Sequence, residues 1–234
     1  MIYFTGDTHG EQGRFSPEAM PGEYTFGSDD TIIVTGDFGY LFFDTPEERI
    51  FIKYLQSKPY TIAFVDGNHE NFPAIYSYPT VEFKGGIAHK LADNVYHLMR
   101  GEIYKIENKS IFVMGGAYSI DRYMRTKGFS YWEEELPSNE EYLNASRNLN
   151  AAGMKVDVIV THTAPRNLVY SMGFSPDSHE AELQGFLEWV KSECEYSHWF
   201  FGHFHVDRDL DEKHHAMFCR VLTENGRTVK SQDA

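Results

Sequence analysis

The sequence predicts a single α/β domain built around parallel β-strands, and three observations support this fold class. Residues 31–34 form an apolar, β-branched run of the kind that a strand buried on both faces requires. A second apolar run, residues 61–65, follows a helical pattern, so that strand, helix and strand together make a βαβ unit. The 234 residues contain no internal repeat, low-complexity segment or interdomain linker, and we therefore expect one domain over residues 1–234.

Five apolar runs are predicted as strands, and polar residues follow each of them within a few positions. The runs are residues 2–4, 31–34, 61–65, 156–160 and 199–201. In open α/β sheets the carboxyl ends of the strands border the ligand crevice. The polar residues that follow the five runs should therefore converge at one rim of the domain.

Three helices are predicted between the strands. Thr45 and Glu48 form a capping box with Pro46 at the first helical position, and Ser138 begins a second helix with a capping box of its own. Residues 182–193 have the apolar spacing of an amphipathic helix.

The remaining segments are predicted to be less regular. Residues 103–106 and 111–114 flank a polar turn and are predicted to form a hairpin. We expect a last strand at residues 216–222 and a polar tail at residues 225–234, whereas residues 81–107 show little regularity before the hairpin.

Composition and charge argue against several classes of function. The formal net charge is −14 and the isoelectric point is near 5.2, which argues against a broad surface for nucleic acid or anionic membrane. The two cysteines, Cys194 and Cys219, are too few for a disulfide framework, so a reducing compartment is expected. No leader pattern is visible, and no apolar run approaches the roughly 18 residues of a membrane span. We therefore expect a cytoplasmic protein without a membrane partner.

The residues after the five predicted strands are the candidate functional residues. They are Asp7 and His9, Asp37, Asn68 and His69, His162, and His203 and His205. Each of these short motifs is common by itself as a turn or a loop cap. Five of them at five strand ends of one chain indicate a shared site.

The side chains in this set are oxygen and nitrogen donors without any thiolate. Such donors suit divalent Mn, Fe, Zn, Co or Ni better than they suit a thiolate-rich structural zinc site. Seven or eight ligands are too many for one ion and suit two, which a bridging carboxylate would hold ~3.5–4 Å apart. A centre with two divalent ions would stay net positive, and it would let an acidic protein bind a phosphate ester.

These motifs resemble those of the calcineurin-like metallophosphoesterase superfamily. The matching segments are Asp7-x-His9, Gly36-Asp37, Gly67-Asn68-His69-Glu70, His162 and Gly202-His203-x-His205. They occur in the order of the family and span most of the chain. The resemblance implies an α/β fold in which two central mixed β-sheets form a four-layer α/β/β/α sandwich, with a dinuclear metal centre at its rim.

The resemblance also implies a role for each residue. One of two divalent ions, of Mn, Fe or Zn, would be held by Asp7, His9 and His205, the other by Asn68, His162 and His203, and Asp37 would bridge them. His69 would be the catalytic imidazole that protonates the leaving group or steadies the transition state. A metal-bridging hydroxide would attack the phosphorus of a phosphate-ester substrate in line.

One departure from the family pattern concerns His69. The family often continues Gly-Asp-x-x-Asp, but Tyr40 stands where the second carboxylate would be. That carboxylate can orient the catalytic histidine, and Asp44 and Glu70 are the remaining candidates for this role.

A second departure concerns the substrate. Phosphoprotein phosphatases of the superfamily carry arginines at the positions that Leu41 and Asp66 occupy here. A phosphodiesterase or small-molecule phosphatase is therefore preferred over a Ser/Thr phosphoprotein phosphatase. A non-catalytic protein-binding scaffold on the same fold is a further alternative, although scaffold members usually lose ligands and this chain keeps all of them.

The aromatic and basic segment from Gly116 to Trp132 is the candidate source of substrate contacts. Arg122 and Arg125 are the candidate substrate-binding residues, because a guanidinium forks onto phosphate oxygens. Tyr118, Tyr123 and Trp132 are the candidates to stack on a base or ring of the substrate. The alternative is a solvated loop with arginines on its surface.

Overall fold

Two β-sheets pack face to face, with helices on both outer faces. The computed structural model describes residues 1–229. Its strands are β1 (Ile2–Thr5), β2 (Thr31–Val34), β3 (Thr61–Phe64), β4 (Thr80–Phe83), β5 (Gly86–Ala92), β6 (Val95–Leu98), β7 (Ile103–Ile106), β8 (Lys109–Met114), β9 (Val158–Thr161), β10 (His198–Phe201), β11 (Arg208–Asp209), β12 (His214–Ala216) and β13 (Val221–Thr223). Its helices are α1 (Pro46–Gln56), α2 (Phe72–Tyr76), α3 (Asn139–Ala151), α4 (Arg166–Met172) and α5 (Ala181–Glu193).

Both sheets are mixed. The seven-stranded sheet has the order β13-β1-β2-β3-β6-β5-β4, with β1, β2, β3 and β6 parallel and the other pairings antiparallel. The six-stranded sheet has the order β11-β12-β10-β9-β8-β7, with a parallel centre from β12 to β8 and an antiparallel strand at each edge. In both sheets the strands that precede the candidate site residues lie within the parallel part.

The alternation of side chains along each strand builds a core of three layers. Ile33 faces the other sheet, and between the two sheets the rings of Phe4 and Phe200 stack with their centroids 4.0 Å apart. Ile32 and Val34 point the opposite way, into a core shared with α1. The outer face of the six-stranded sheet is covered by α3, α4 and α5. The predicted α/β/β/α sandwich is confirmed.

The predicted helix starts are confirmed. Thr45 and Ser138 each accept a hydrogen bond from the backbone N–H three residues on, and Glu48 and Glu141 bond back to the N-cap residues. A complete capping box satisfies two N–H groups that would otherwise lack partners. None of the helices within residues 1–229 combines the length and the apolar character that crossing a bilayer demands.

Three sequence predictions need correction. Residues 80–98 form the three strands of an antiparallel meander, and the predicted strand at 216–222 is two short strands that belong to different sheets. Between those two, backbone N–H groups donate to the carboxylate of Asp207, which fixes the crossing from one sheet to the other. Within the predicted polar tail, Val229 packs against the core under the seven-stranded sheet and its N–H donates to Val221. The rest of that tail lies outside the described residues.

Candidate metal centre

The five predicted strand ends meet at one rim of the sandwich. β1, β2 and β3 of one sheet and β9 and β10 of the other all lead into it. The loops after them bring together Asp7, His9, Asp37, Asn68, His69, His162, His203 and His205. Parallel strands end at the same edge of a sheet, so this convergence follows from the strand order.

Four side chains form a first cluster. Asp7, His9, Asp37 and His205 each offer a ligand atom within 4.8 Å of the other three. The Nε2 atoms of His9 and His205 lie 2.9 Å apart, and Nε2 of His205 is 3.3 Å from a carboxylate oxygen of Asp7. Imidazole nitrogens and carboxylate oxygens that converge in this way fit a divalent cation.

A second cluster surrounds the amide oxygen of Asn68. This Oδ1 lies 3.2 Å from Nε2 of His162 and 3.0 Å from Nδ1 of His203. Asp37 adjoins both clusters, since its Oδ1 is 3.4 Å from Nε2 of His162 and its Oδ2 is 3.8 Å from Nε2 of His9. The two clusters thus share one carboxylate, an arrangement that fits two neighbouring cations.

The backbone at this rim is strained in a way that points to function. Nine described residues other than glycine have positive φ, and four of them are His9, Asp37, His203 and His205, with φ of 47°, 50°, 70° and 50°. A side chain in the left-handed region is costly, and such residues persist where the surroundings impose them. These four conformations aim the side chains at the two clusters.

The glycines of the motifs are required by close approach. A β-carbon on Gly67 would lie 2.1 Å from Oδ1 of Asp37, and one on Gly202 would lie 2.1 Å from Oδ1 of Asp7. Each glycine therefore presses its backbone against a candidate ligand from another loop. A side chain at either position would displace that ligand.

Glu180 supports the second cluster, and the sequence analysis missed it. Its Oε1 lies 3.4 Å from Nε2 of His203, on the side of the ring opposite the nitrogen that faces Asn68. The donors to its two oxygens are the Tyr118 N–H, the Thr163 hydroxyl and the Gln184 amide. Burial opposes the charge, but His203 and these donors outweigh it and lower the pKa of Glu180 to about 2. A carboxylate behind a ligand histidine fixes the ring and raises its basicity.

Two further contacts orient ligands of the second cluster. Nδ1 of His162 donates to the carbonyl oxygen of Thr35 at 2.8 Å, which leaves Nε2 for the site. The amide nitrogen of Asn68 donates to the hydroxyl of Ser119 at 3.2 Å, which turns the amide oxygen toward the site. Neither Ser119 nor Glu180 belongs to a motif, and only the tertiary structure reveals them.

The side chain of Arg122 contacts residues that support the second cluster. Its guanidinium forms an ion pair at 2.9 Å with the buried Glu135, whose carboxylate also accepts the N–H of Ser119. The ring of Tyr118 lies 4.5 Å from the guanidinium carbon. Arg122 does not line the cavity of about 500 Å³ beside the clusters, so the predicted substrate contact through Arg122 is not supported.

The sequence model of the calcineurin-like phosphoesterases matches residues 1–207. The chain belongs to the calcineurin-like phosphoesterase family. The matched range contains all of the candidate ligands, and the family suspected from the motifs is confirmed. The range includes Asp7, His9, Asp37 and His205, which together could hold a metal ion.

Eight chains in solved structures match this chain, among them a bacterial protein. It is a Staphylococcus aureus protein provisionally assigned as a 5′-nucleotidase and crystallised with α-ketoglutarate, with 14% sequence identity and a TM-score of 0.47. The match covers 98% of this chain and 52% of that one, so this chain spans about half the length of the protein it matches. No curated protein sequence matches the present chain closely enough to be a relative.

The carboxylate of Asp37 has the strongest influence on the electrostatics of the candidate metal centre. Burial opposes its charge, but His162, His69 and His9 outweigh that effect and hold the pKa of Asp37 below its ordinary value. The facing carboxylate in turn overcomes the burial of His162 and raises the pKa of that imidazole. Cations that bind here must displace such protons, so metal affinity should rise with pH.

None of the carboxylates expected to orient His69 does so. Tyr40 is buried, and its hydroxyl donates to a backbone carbonyl oxygen. Asp44 forms a two-pronged ion pair with Arg49, and Glu70 accepts two backbone N–H groups. Asp44 and Glu70 are therefore excluded as orienting groups.

Arg125 takes the place beside His69. Its guanidinium is anchored by Asp121 at 2.7 Å and by the carbonyl oxygen of Ser130 at 3.0 Å. The remaining nitrogen donates to the ring of His69, at 2.9 Å from Nε2 and 3.3 Å from Nδ1. Burial lowers the pKa of His69 to about 4, and Arg125 adds to this effect against the carboxylate of Asp37. His69 is thus neutral here, with Nε2 as an acceptor.

Proposed function

We propose that this phosphoesterase uses two divalent metal ions to hydrolyse a phosphodiester or a small-molecule phosphomonoester. The observation that carries the proposal is the pair of donor clusters that share Asp37. Taken together, the donors of both clusters are too many for a single ion. The two clusters meet at one shared carboxylate.

The residues divide between the two ions in the way the family resemblance implies. Asp7, His9 and His205 would hold one ion, Asn68, His162 and His203 the other, and Asp37 both. When bound, the ions would supply a water of lowered pKa as nucleophile and neutralise charge on the phosphate. The oxygen and nitrogen donors favour Mn, Fe or Zn.

Arg125 and His69 would act on the phosphate and the leaving group. Both line the cavity of about 500 Å³ that opens beside the clusters. The guanidinium would donate to an unbridged phosphate oxygen, which is the geometry that arginine suits best. The neutral imidazole of His69 would steady the transition state by hydrogen bonding rather than by giving up a proton, because its lowered pKa disfavours the protonated form at neutral pH.

The test compares variants on p-nitrophenyl phosphate and on its bis ester, with Mn present. Asp37→Asn and His162→Ala should each lower kcat/KM by at least about a hundredfold, because Asp37 is shared by both clusters and His162 belongs to the second. Asp93→Asn, which removes an exposed carboxylate, is the matched control and should leave turnover unchanged. Turnover that survives Asp37→Asn in folded protein would contradict the proposal.

A further inference from the structure

Two cavities border His69. We call these cavities the two lobes. The larger lobe has a volume of about 500 Å³ and is lined by Asn68, His203 and His205. The smaller lobe, of about 200 Å³, adjoins His9. Since His69 lines both lobes, a phosphorus atom bound near it would have space for an organic group in each lobe.

Apolar and aromatic side chains form part of the lining of both lobes. Ile120, Phe174 and Phe204 border the larger lobe, and the rings of the last two lie 5.3 Å apart. Phe42 and Phe43 border the smaller lobe, with their rings edge to face at 4.9 Å. Several of these side chains are solvent-exposed, including Phe43 at 57% and Phe174 at 40%. Exposed rings around a cavity are suited to stack on or cover apolar groups of a ligand.

The charges in the lobes suit a single negative charge on the ligand. Among the described residues that line either lobe, Arg125 is the one Lys or Arg. Asp121 is paired with Arg125, but Asp177 borders the larger lobe and Glu48 the smaller, so an additional anionic group beside either of them would meet repulsion. A phosphodiester has one formal charge at neutral pH, whereas a monoester has nearly two.

We propose that the substrate is a phosphodiester with two uncharged ester groups, one in each lobe, the smaller group being a single ring. The inference rests on the proposed function and narrows its substrate. In the reaction the oxygen of water bonds to phosphorus and one P–O ester bond breaks. The leaving oxygen receives a proton from that water, and the products are an alcohol or phenol and a phosphomonoester.

The experiment tests whether each ester contacts one lobe or both. Phe43→Ala and Phe174→Ala are measured on bis(p-nitrophenyl) phosphate and on p-nitrophenyl phosphate, with Tyr24→Ala as control because Tyr24 is 59% exposed and lies in neither lobe. Both lobe variants should lower kcat/KM for the diester at least fivefold. The monoester has one ring and should respond to at most one of them. Calorimetric titration with diphenyl phosphate should show weaker binding in both variants.

The outcomes separate the substrate from the function. A wild-type kcat/KM that is higher for the monoester, or a diester that responds to one variant or to neither, would overturn the diester proposal and leave the phosphoesterase in place. Failure of the wild-type protein to hydrolyse either ester with Mn, Fe or Zn would remove the proposed function, and the diester proposal with it.

Discussion

Replacing Glu180 with Gln removes one negative charge from behind His203 and keeps the size of the side chain. Glu180 is buried, and its Oε1 lies 3.4 Å from Nε2 of His203. In the wild-type protein this carboxylate makes the imidazole of His203 a stronger electron-pair donor to a metal ion. It also holds the ring toward Asn68. The substitution should therefore weaken the second cluster and leave the first, around Asp7, intact.

The expected size of the effect follows from these contacts. Loss of a carboxylate behind a metal-binding histidine costs about 10–100-fold in metal affinity, which is about 1.4–2.7 kcal/mol. The hydroxyl of Thr163 and the amide of Gln184 both donate to Oε2. An amide NH₂ there would face two donors, so unfolding should also become easier by about 1–3 kcal/mol.

The assay is calorimetric titration of metal-free protein with Mn²⁺ at pH 7, with urea unfolding measured on the same samples. One of two binding steps should weaken, and activity should return at high Mn²⁺. Glu182→Gln, on the exposed face of α5, is the control and should change neither measurement. Equal metal affinity in the folded Glu180→Gln protein would refute the role assigned to this carboxylate.

Three further predictions concern the glycine, the helix cap and a buried histidine. Gly202→Ala should leave a folded protein that binds less metal by elemental analysis, because the added carbon would lie 2.1 Å from Oδ1 of Asp7; full metal content would contradict the close-approach argument. Thr45→Ala should lower the free energy of unfolding in urea by about 1 kcal/mol through loss of the capping box, and an unchanged midpoint would count against it. Burial and His97 lower the pKa of His89 to about 4, so between pH 6.5 and 4 the unfolded chain binds a proton that the folded chain does not, and stability falls as pH falls through this window. Metal-free His89→Gln protein should lose less stability than wild type between pH 7 and pH 5, by on the order of 1–2 kcal/mol, and identical pH curves would rule this out.

The sequence predicted the parts of the fold that local chemistry dictates. Apolar β-branched runs such as residues 31–34 specify central strands, and Thr45 with Glu48 specifies a helix start. These signals depend on neighbours within four residues. The meander of residues 80–98 was missed, because Glu82, Lys84 and Lys90 interrupt its apolar pattern on solvent-facing positions.

The candidate site was predictable where it follows strand ends and not where it depends on distant loops. Asp7 and His162 lie directly after strands, so topology alone brings them to the same rim. Glu180 is the last residue of a 3-10 turn and meets His203 only through tertiary packing. The partner of His69 was sought among nearby acids, whereas Arg125 reaches it from a loop far along the chain.

Gly115 and Gly116 illustrate what a local sequence signal can predict and what it cannot. Two consecutive glycines directly after β8 indicate that the backbone passes close to another group, but they do not identify that group. A β-carbon on Gly115 would lie 2.5 Å from the carboxylate of Asp66, and one on Gly116 would lie 2.7 Å from the carbonyl oxygen of Glu135. The need for glycine was readable from the sequence, but its cause was not.

The metal content of the purified chain tests the central claim most directly. Protein prepared without chelator, incubated with Mn²⁺ and desalted, should contain about two ions per chain by elemental analysis, since two donor sets share Asp37. Asp37→Asn, which removes the shared charge, should lower that content in a protein that is still folded. Less than one ion per wild-type chain would contradict a dinuclear centre and would favour a non-catalytic scaffold on the same fold.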